Sequence, residues 1–184
     1  ANGKRSVEES LETESKKQRM VVNEVVGKSD PRYSKALALY RSAGYNSPDP
    51  TEFEEIHCLK SEHTWIANGF LQTYNFVDGQ KCRIIIFLPT QDLRPHRHDL
   101  DEDFVITHGS VELWTWSSTG EILPAKLGRG QHIVVKKGTV HCLRADPRDG
   151  LVFHELVGEH TFQKRSTDWQ EDLSLGRYSM PSPF

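Results

Sequence analysis

Three shortages narrow what this chain can be. It has only three cysteines, Cys58, Cys82 and Cys142, in 184 residues. An odd, sparse set with no Cys-x-x-Cys pair builds neither a disulfide framework nor a zinc ribbon. Three reduced thiols in a cytosol-like compartment are the expectation. Positive charge is not in surplus either: 23 Lys plus Arg stand against 26 Asp plus Glu, a formal net charge of −3. Nucleic-acid binders carry a clustered basic footprint, so no nucleic-acid partner is expected. Finally, no apolar run approaches the roughly 20 residues that span a bilayer, and no N-terminal apolar core marks a secretory signal. No membrane partner is expected, and a cytoplasmic location is. A removed targeting segment stays open, because the sequence starts at Ala1 rather than Met.

The length suits one domain that buries about 70% of its unfolded surface without staples. Residues 1–28 read as a mobile polar tail. The first twenty hold five basic and four acidic residues with almost nothing apolar, too little to offset the entropy of ordering. The four Glu also argue against a transit peptide. Residues 29–61 read as a helical preamble. Asp30 can cap, Pro31 suits the first helical position, and Tyr33, Ala36, Leu37 and Tyr40 recur at i, i+3, i+4 and i+7. Gly44 is placed to end the helix.

From residue 62 to 164 short runs rich in Val, Ile, Phe, Tyr, Trp and Thr alternate with turn signals, among them Asp78-Gly79, His108-Gly109, Lys137-Gly138 and Asp149-Gly150. Many short, evenly spaced strands predict an antiparallel sandwich or barrel. Separate strands are expected over Phe104–Thr107 and Val111–Trp116, with a turn at His108-Gly109. Residues 165–184 read as a C-terminal extension.

The nine histidines are unevenly placed. His96 and His98 are two residues apart, so an extended strand points both to one face. Glu102 has the same parity. His141 lies in a later Val-rich run, in the parity set of Thr139 and Leu143. Imidazoles and a carboxylate converging from two strands can bind a divalent transition metal. His57, His63, His132 and His160 show no partner pattern and read as structural or exposed. His108 is expected to be exposed.

The run His96-Arg97-His98-Asp99-Leu100-Asp101-Glu102 through Gly109 resembles the first cupin motif, HxHxxxExxxxxxG. Gly130–Ala145 resembles the second, GxxxxxPxGxxHxxxN, with Lys136 at the usual proline and Ala145 at the usual asparagine. The resemblance covers roughly residues 62–160. It implies a mainly β chain: a cupin jelly-roll (double-stranded β-helix) barrel with a short N-terminal helical segment. It also implies one divalent metal held by His96, His98, Glu102 and His141. Fe2+ is favoured, with Mn2+, Ni2+ or Zn2+ as alternatives, and by the same analogy the chain is a homodimer.

What the metal does stays open. A non-haem Fe(II) dioxygenase acting on a small organic molecule is the first reading. A non-redox isomerase, epimerase or lyase, or a non-catalytic sugar-binding cupin, are the alternatives. Several groups could assist. Arg83 shares parity with Ile85 and Phe87 and would be a buried cation if that face turns inward; the opposite orientation, with Arg83 outside, is the first expectation. His154, Glu155, Tyr74 and Glu112 are acid/base candidates, and His154, Tyr74 and Arg83 stand first. Phe104, Trp65 and Trp114 are candidate pocket walls. Cys142 follows a ligand and should face away from it.

Overall fold

The computed structural model describes residues 24–46, 48–61, 64–75, 81–89, 91–98, 101–157 and 164–165, leaving out the side chains of 57–61, 64–68, 74–75, 81, 94, 156–157 and 164–165. The one helix of these residues, α1 (Pro31–Ser42), forms for the reasons visible in its sequence. The Asp30 carboxylate accepts a hydrogen bond from the Arg32 amide at 2.8 Å, satisfying a donor that the first turn leaves open. Pro31 occupies the first turn. Gly44, just past the end, takes a φ of 95° that other residues avoid. Tyr33, Ala36 and Tyr40 form the buried stripe.

The strands are β1 (Val25–Gly27), β2 (Glu52–Ser61), β3 (Thr64–Asn75), β4 (Lys81–Phe87), β5 (Asp92–His98), β6 (Glu102–Trp116), β7 (Ile122–Gly128), β8 (His132–Val135), β9 (His141–Ala145), β10 (Leu151–Val157) and β11 (Lys164–Arg165). All their pairings are antiparallel. They form two layers that share β6. Its first half pairs with β10 and β8 and belongs to a layer running β1-β2-β3-β4-β10-β6-β8. Its second half pairs with β7 and β9 and belongs to a layer running β7-β6-β9-β5-β11. This is a mainly β, jelly-roll architecture. Among the described residues the pairings trace an open path rather than a closed ring.

The handover between layers corrects the expected turn at His108-Gly109. β6 runs straight through those residues. Gly109 has a φ of 73°, and a Cβ there would lie 2.0 Å from the Gly150 carbonyl oxygen. The glycine is therefore a bend inside one long strand, beside a register shift in the β6–β10 ladder. The strand pattern also begins earlier than residue 62, because Glu52–Ser61 is strand β2. Its alternation is disguised by charge: Phe53 and Glu55 share one face and both are buried, with Arg32 of α1 pairing Glu55. Val25–Gly27 form β1. Most of the expected N-terminal tail and C-terminal extension lies outside the described residues.

Two cores result. Between the layers pack Ile85, Phe87, Leu93, Phe104, Ile106, Val111, Leu113, Leu143, Leu151 and Phe153. On the outer side of the first layer, α1 covers Val26, Phe53, Phe70, Ile84, Ile86 and Val152. Each fully buried side chain of this size contributes roughly 1.5–3 kcal/mol. β4 is thus buried on both faces, Ile84 and Ile86 under the helix and Ile85 and Phe87 between the layers.

Candidate metal centre

His96 and His98 come from β5, Glu102 opens β6 and His141 opens β9. All four side chains are buried, and one ligand atom from each lies within 4.8 Å of the others. His141 Nε2 is 2.9 Å from Glu102 Oε2, and His98 Nε2 is 3.4 Å from the same oxygen. The His96 ring centroid is 4.2 Å from that of His141 and 4.8 Å from that of His98. Two atoms bound to one ion by bonds of about 2 Å sit roughly 3–4 Å apart, so these donors match a single ion. Three imidazoles and a carboxylate are also the donor types that divalent transition metals accept.

Local structure aims each group. The β5–β9 register shifts between Leu93 and His96, a bulge at Arg94-Pro95, where proline has no N–H to give to a ladder. Without it Leu93 and His96, three residues apart, would face opposite ways; both are buried here. The shift also sets His96 directly across from His141. Nδ1–H of His141 donates to the Thr139 carbonyl at 3.0 Å, which leaves Nε2 to face Glu102. β5 ends at His98 and β6 begins at Glu102, so Glu102 reaches the cluster from β6 rather than along one regular strand as its parity with His98 suggests.

The residues at the atypical positions of the second motif have visible work. Asp101 accepts from Lys136 Nζ at 2.7 Å and from the Lys137 amide at 2.8 Å. The Gly138 amide donates to the His98 carbonyl at 2.9 Å. The β8–β9 turn is thereby tied to the segment that carries His96, His98 and Glu102. No single-residue signal in the sequence marks Asp101 for this role. Ala145 is buried in the core between the layers.

Facing the cluster from the first layer are Arg83 of β4 and Glu155 of β10, adjacent in the ladder. Arg83 Nη2 lies 2.8 Å from Glu155 Oε2, and the side chains are 16% and 1% exposed. Arg83 therefore lies on the inward face with Ile85 and Phe87, which corrects the expectation that it points outward; Glu155 gives the partly buried cation its partner. The Glu155 carboxyl is within hydrogen-bonding reach of Glu102. Burial, then the Glu102 charge, push Glu155 well above the usual carboxylate range, against the pull of Arg83. Burial would raise Glu102 too, but the charge and hydrogen bond of His141, with His98, bring it below its ordinary value.

The other candidates fall elsewhere. His154 points to the opposite side of β10 from Glu155, its ring edge-on to Tyr45 at 6.3 Å. Glu112 pairs with Arg144 on the outer side of the second layer, where Arg144 also lies over the Trp114 ring. Phe104 packs on Phe153 in the core, with centroids 4.7 Å apart. Cys142 faces away from the ligands, buried with Trp116 and Val140. His132 is exposed and pairs with Asp103. Half-buried His108 meets the Asp149 carbonyl at 3.2 Å. The side chains of Tyr74, Trp65 and His57, and residues His63 and His160, lie outside the described ones.

No family model matches the chain, and no curated protein matches it by sequence. Solved structures do match in fold. Oxalate decarboxylase from Lactobacillus farciminis aligns with a TM-score of 0.50 at 15% identity, covering 67% of this chain and 37% of that one. Vicilin from hazelnut, Corylus avellana, aligns with a TM-score of 0.47 at 15% identity, covering 61% of this chain and 32% of that one. The chain thus spans well under half the length of either. Both are cupin-fold proteins. With its two-layer jelly roll, this chain has the cupin fold, and it carries a buried His-His-Glu-His group that could hold a metal. Among the described residues no helix is long and apolar enough to cross a membrane.

Proposed function

We propose that this chain is a metal-dependent cupin enzyme acting on a small organic molecule, with a non-haem Fe(II) dioxygenase as the first reading. The observation that carries it is the buried cluster of His96, His98, Glu102 and His141. Four ionisable groups withdrawn from water at one point add little to stability on their own, and their donor set suits Fe(II). Iron held there would supply oxygen activation. The protein residues hold it through imidazole nitrogens, orient His141 through Thr139, and exclude bulk water by burial.

A second reading, non-redox metal-assisted proton transfer, is favoured by one observation. Glu155 brings a buried carboxyl to within reach of the cluster, and Lewis-acid chemistry next to a carbonyl needs such a group to hold or deliver a proton. A homodimer remains part of the proposal, to be tested by sedimentation.

Elemental mass spectrometry on tag-free protein and on a His96→Ala/His141→Ala double variant tests the metal. About one equivalent of divalent metal, lost in the variant, is expected. Iron with substrate-dependent O₂ uptake supports the dioxygenase; turnover with no O₂ uptake supports the second reading. No metal in either protein after adding Fe(II) or Mn(II) would sink both.

A further inference from the structure

Away from the metal cluster, the outer side of the second layer carries a hollow of about 340 Å³, a size that suits a small molecule. Its charged walls come from three neighbouring strands and one turn. Lys126 of β7 and Arg144 of β9 stand directly across from Glu112 of β6, one on each side. Asp146 and Arg148 follow β9, on the turn into β10. Both carboxylates are already engaged. Glu112 pairs with Arg144. Asp146 Oδ1 accepts from the Arg148 amide at 2.8 Å and the Asp149 amide at 3.1 Å, and its Oδ2 accepts from the Ser110 hydroxyl at 3.0 Å. Among the described residues no carboxylate forms an ion pair with Lys126 or with the Arg148 guanidinium, and both residues are exposed.

We infer that this hollow binds the phosphate group of a small phosphorylated molecule, at a site separate from the metal centre. Paired surface charges account for Glu112 and Arg144, but not for two unpaired cations on the same hollow. Those two match a phosphate monoester, which carries about −1.5 to −2 at neutral pH. Its three terminal oxygens accept donors from several directions. That suits an ammonium on one wall and a guanidinium on another better than a planar carboxylate does. Arg144 adds a third cation, held in place by Glu112 and by the Trp114 ring, 5.9 Å from its centroid. The alternation of β9 keeps the two sites apart: Leu143 and Ala145 face the core between the layers, and Arg144 faces out.

Isothermal titration calorimetry of the full chain with glycerol 3-phosphate tests this, at constant ionic strength and with glycerol as the neutral control. One equivalent of the phosphate is expected to bind saturably, and glycerol not to bind. Lys126→Gln and Arg148→Gln should each weaken binding about fivefold or more, the loss of one charge-assisted contact, and the double variant more than either. Both side chains are replaced at exposed positions, and Arg148→Gln keeps the amide that holds Asp146, so the fold should stand. Lys35→Gln removes an exposed cation from α1 instead and should leave binding unchanged. Glu112→Gln removes a competing charge beside Arg144 and should bind the phosphate as tightly or more tightly.

No saturable binding at millimolar glycerol 3-phosphate overturns the inference. So does a Lys126→Gln/Arg148→Gln variant that binds within about twofold of the unsubstituted protein, a difference too small for lost charge-assisted contacts. The phosphate would then be held elsewhere, as at the metal centre. Equal weakening by Lys35→Gln also overturns it, because net charge alone would then be acting. None of these outcomes bears on the metal-dependent reading, which metal content tests separately.

Discussion

The space between the two layers has two unlike ends, built on the same strands. β4 carries Arg83 at one end and Phe87 at the other, and β10 carries Glu155 opposite Arg83 and Leu151 opposite Phe87. β9 passes from His141 to Leu143 and Ala145, and β6 from Glu102 to Phe104 and Ile106. At the apolar end, Phe87 stacks on Phe153 at 5.9 Å and Phe153 meets Phe104. At the polar end, three histidines and two glutamates are buried instead, with a partly buried arginine beside them. Apolar burial drives folding, whereas buried polar groups at best break even. One end therefore holds the layers together, and at the other polar side chains stand where apolar packing would otherwise be.

The largest effect that would break this division comes from the ligands. Glu102→Gln keeps size but removes the charge that faces the metal, and metal affinity should fall by about 100-fold or more. Competition with a chelator measures it, and unchanged affinity would remove Glu102 from the ligand set. Phe153→Ala, at the other end, should cost about 3–5 kcal/mol of stability by leaving a cavity. Urea unfolding measures that loss, and the folded fraction should still bind one metal.

Replacing the buried pair by apolar residues, as in Arg83→Met/Glu155→Leu, sharpens the contrast. Desolvated ion pairs often cost as much as they return, so stability should be unchanged or higher by about 1–2 kcal/mol. A large destabilisation would show that the pair is structural. The smallest effect lies outside both ends, at the helix cap. Hydrogen bonds from the Arg32 side chain and amide lower Asp30 to about 2. A carboxylate lowered in the folded state stabilises it above its unfolded value, and that contribution fades as pH falls through the folded value. The Tm gap between unsubstituted protein and Asp30→Ala should therefore be constant near neutral pH and close between about pH 4 and pH 2.

How much could be read beforehand varied with the kind of signal. α1 was legible because cap, proline, apolar spacing and terminal glycine all agree locally. The gathering of His96, His98, Glu102 and His141 was legible because their spacing matches two motifs at once. Arg83 was not. In the run Lys81–Phe87 both Ile84 and Ile85 are buried, one beneath α1 and one between the layers. A strand covered on both faces loses the alternation that tells inside from outside. His154 and Glu155 pose the same problem one strand away: the parity separates them, but nothing local says which of the two faces the metal cluster. The bulge at Arg94-Pro95 changes face in mid-strand, and no count of residues carries across it.

The sequence by itself determined the strand-rich class, the capped helix and the four residues of the buried His-His-Glu-His group, because each rests on residue type and short spacing. Only the tertiary structure decided that β6 serves both layers, that His154 packs toward Tyr45, and that Arg83 and Glu155 meet beside Glu102. Those facts depend on which strands become neighbours and which faces are covered. That is settled by burying apolar area across the whole chain, where separations such as Arg83 to Glu155 leave no local trace.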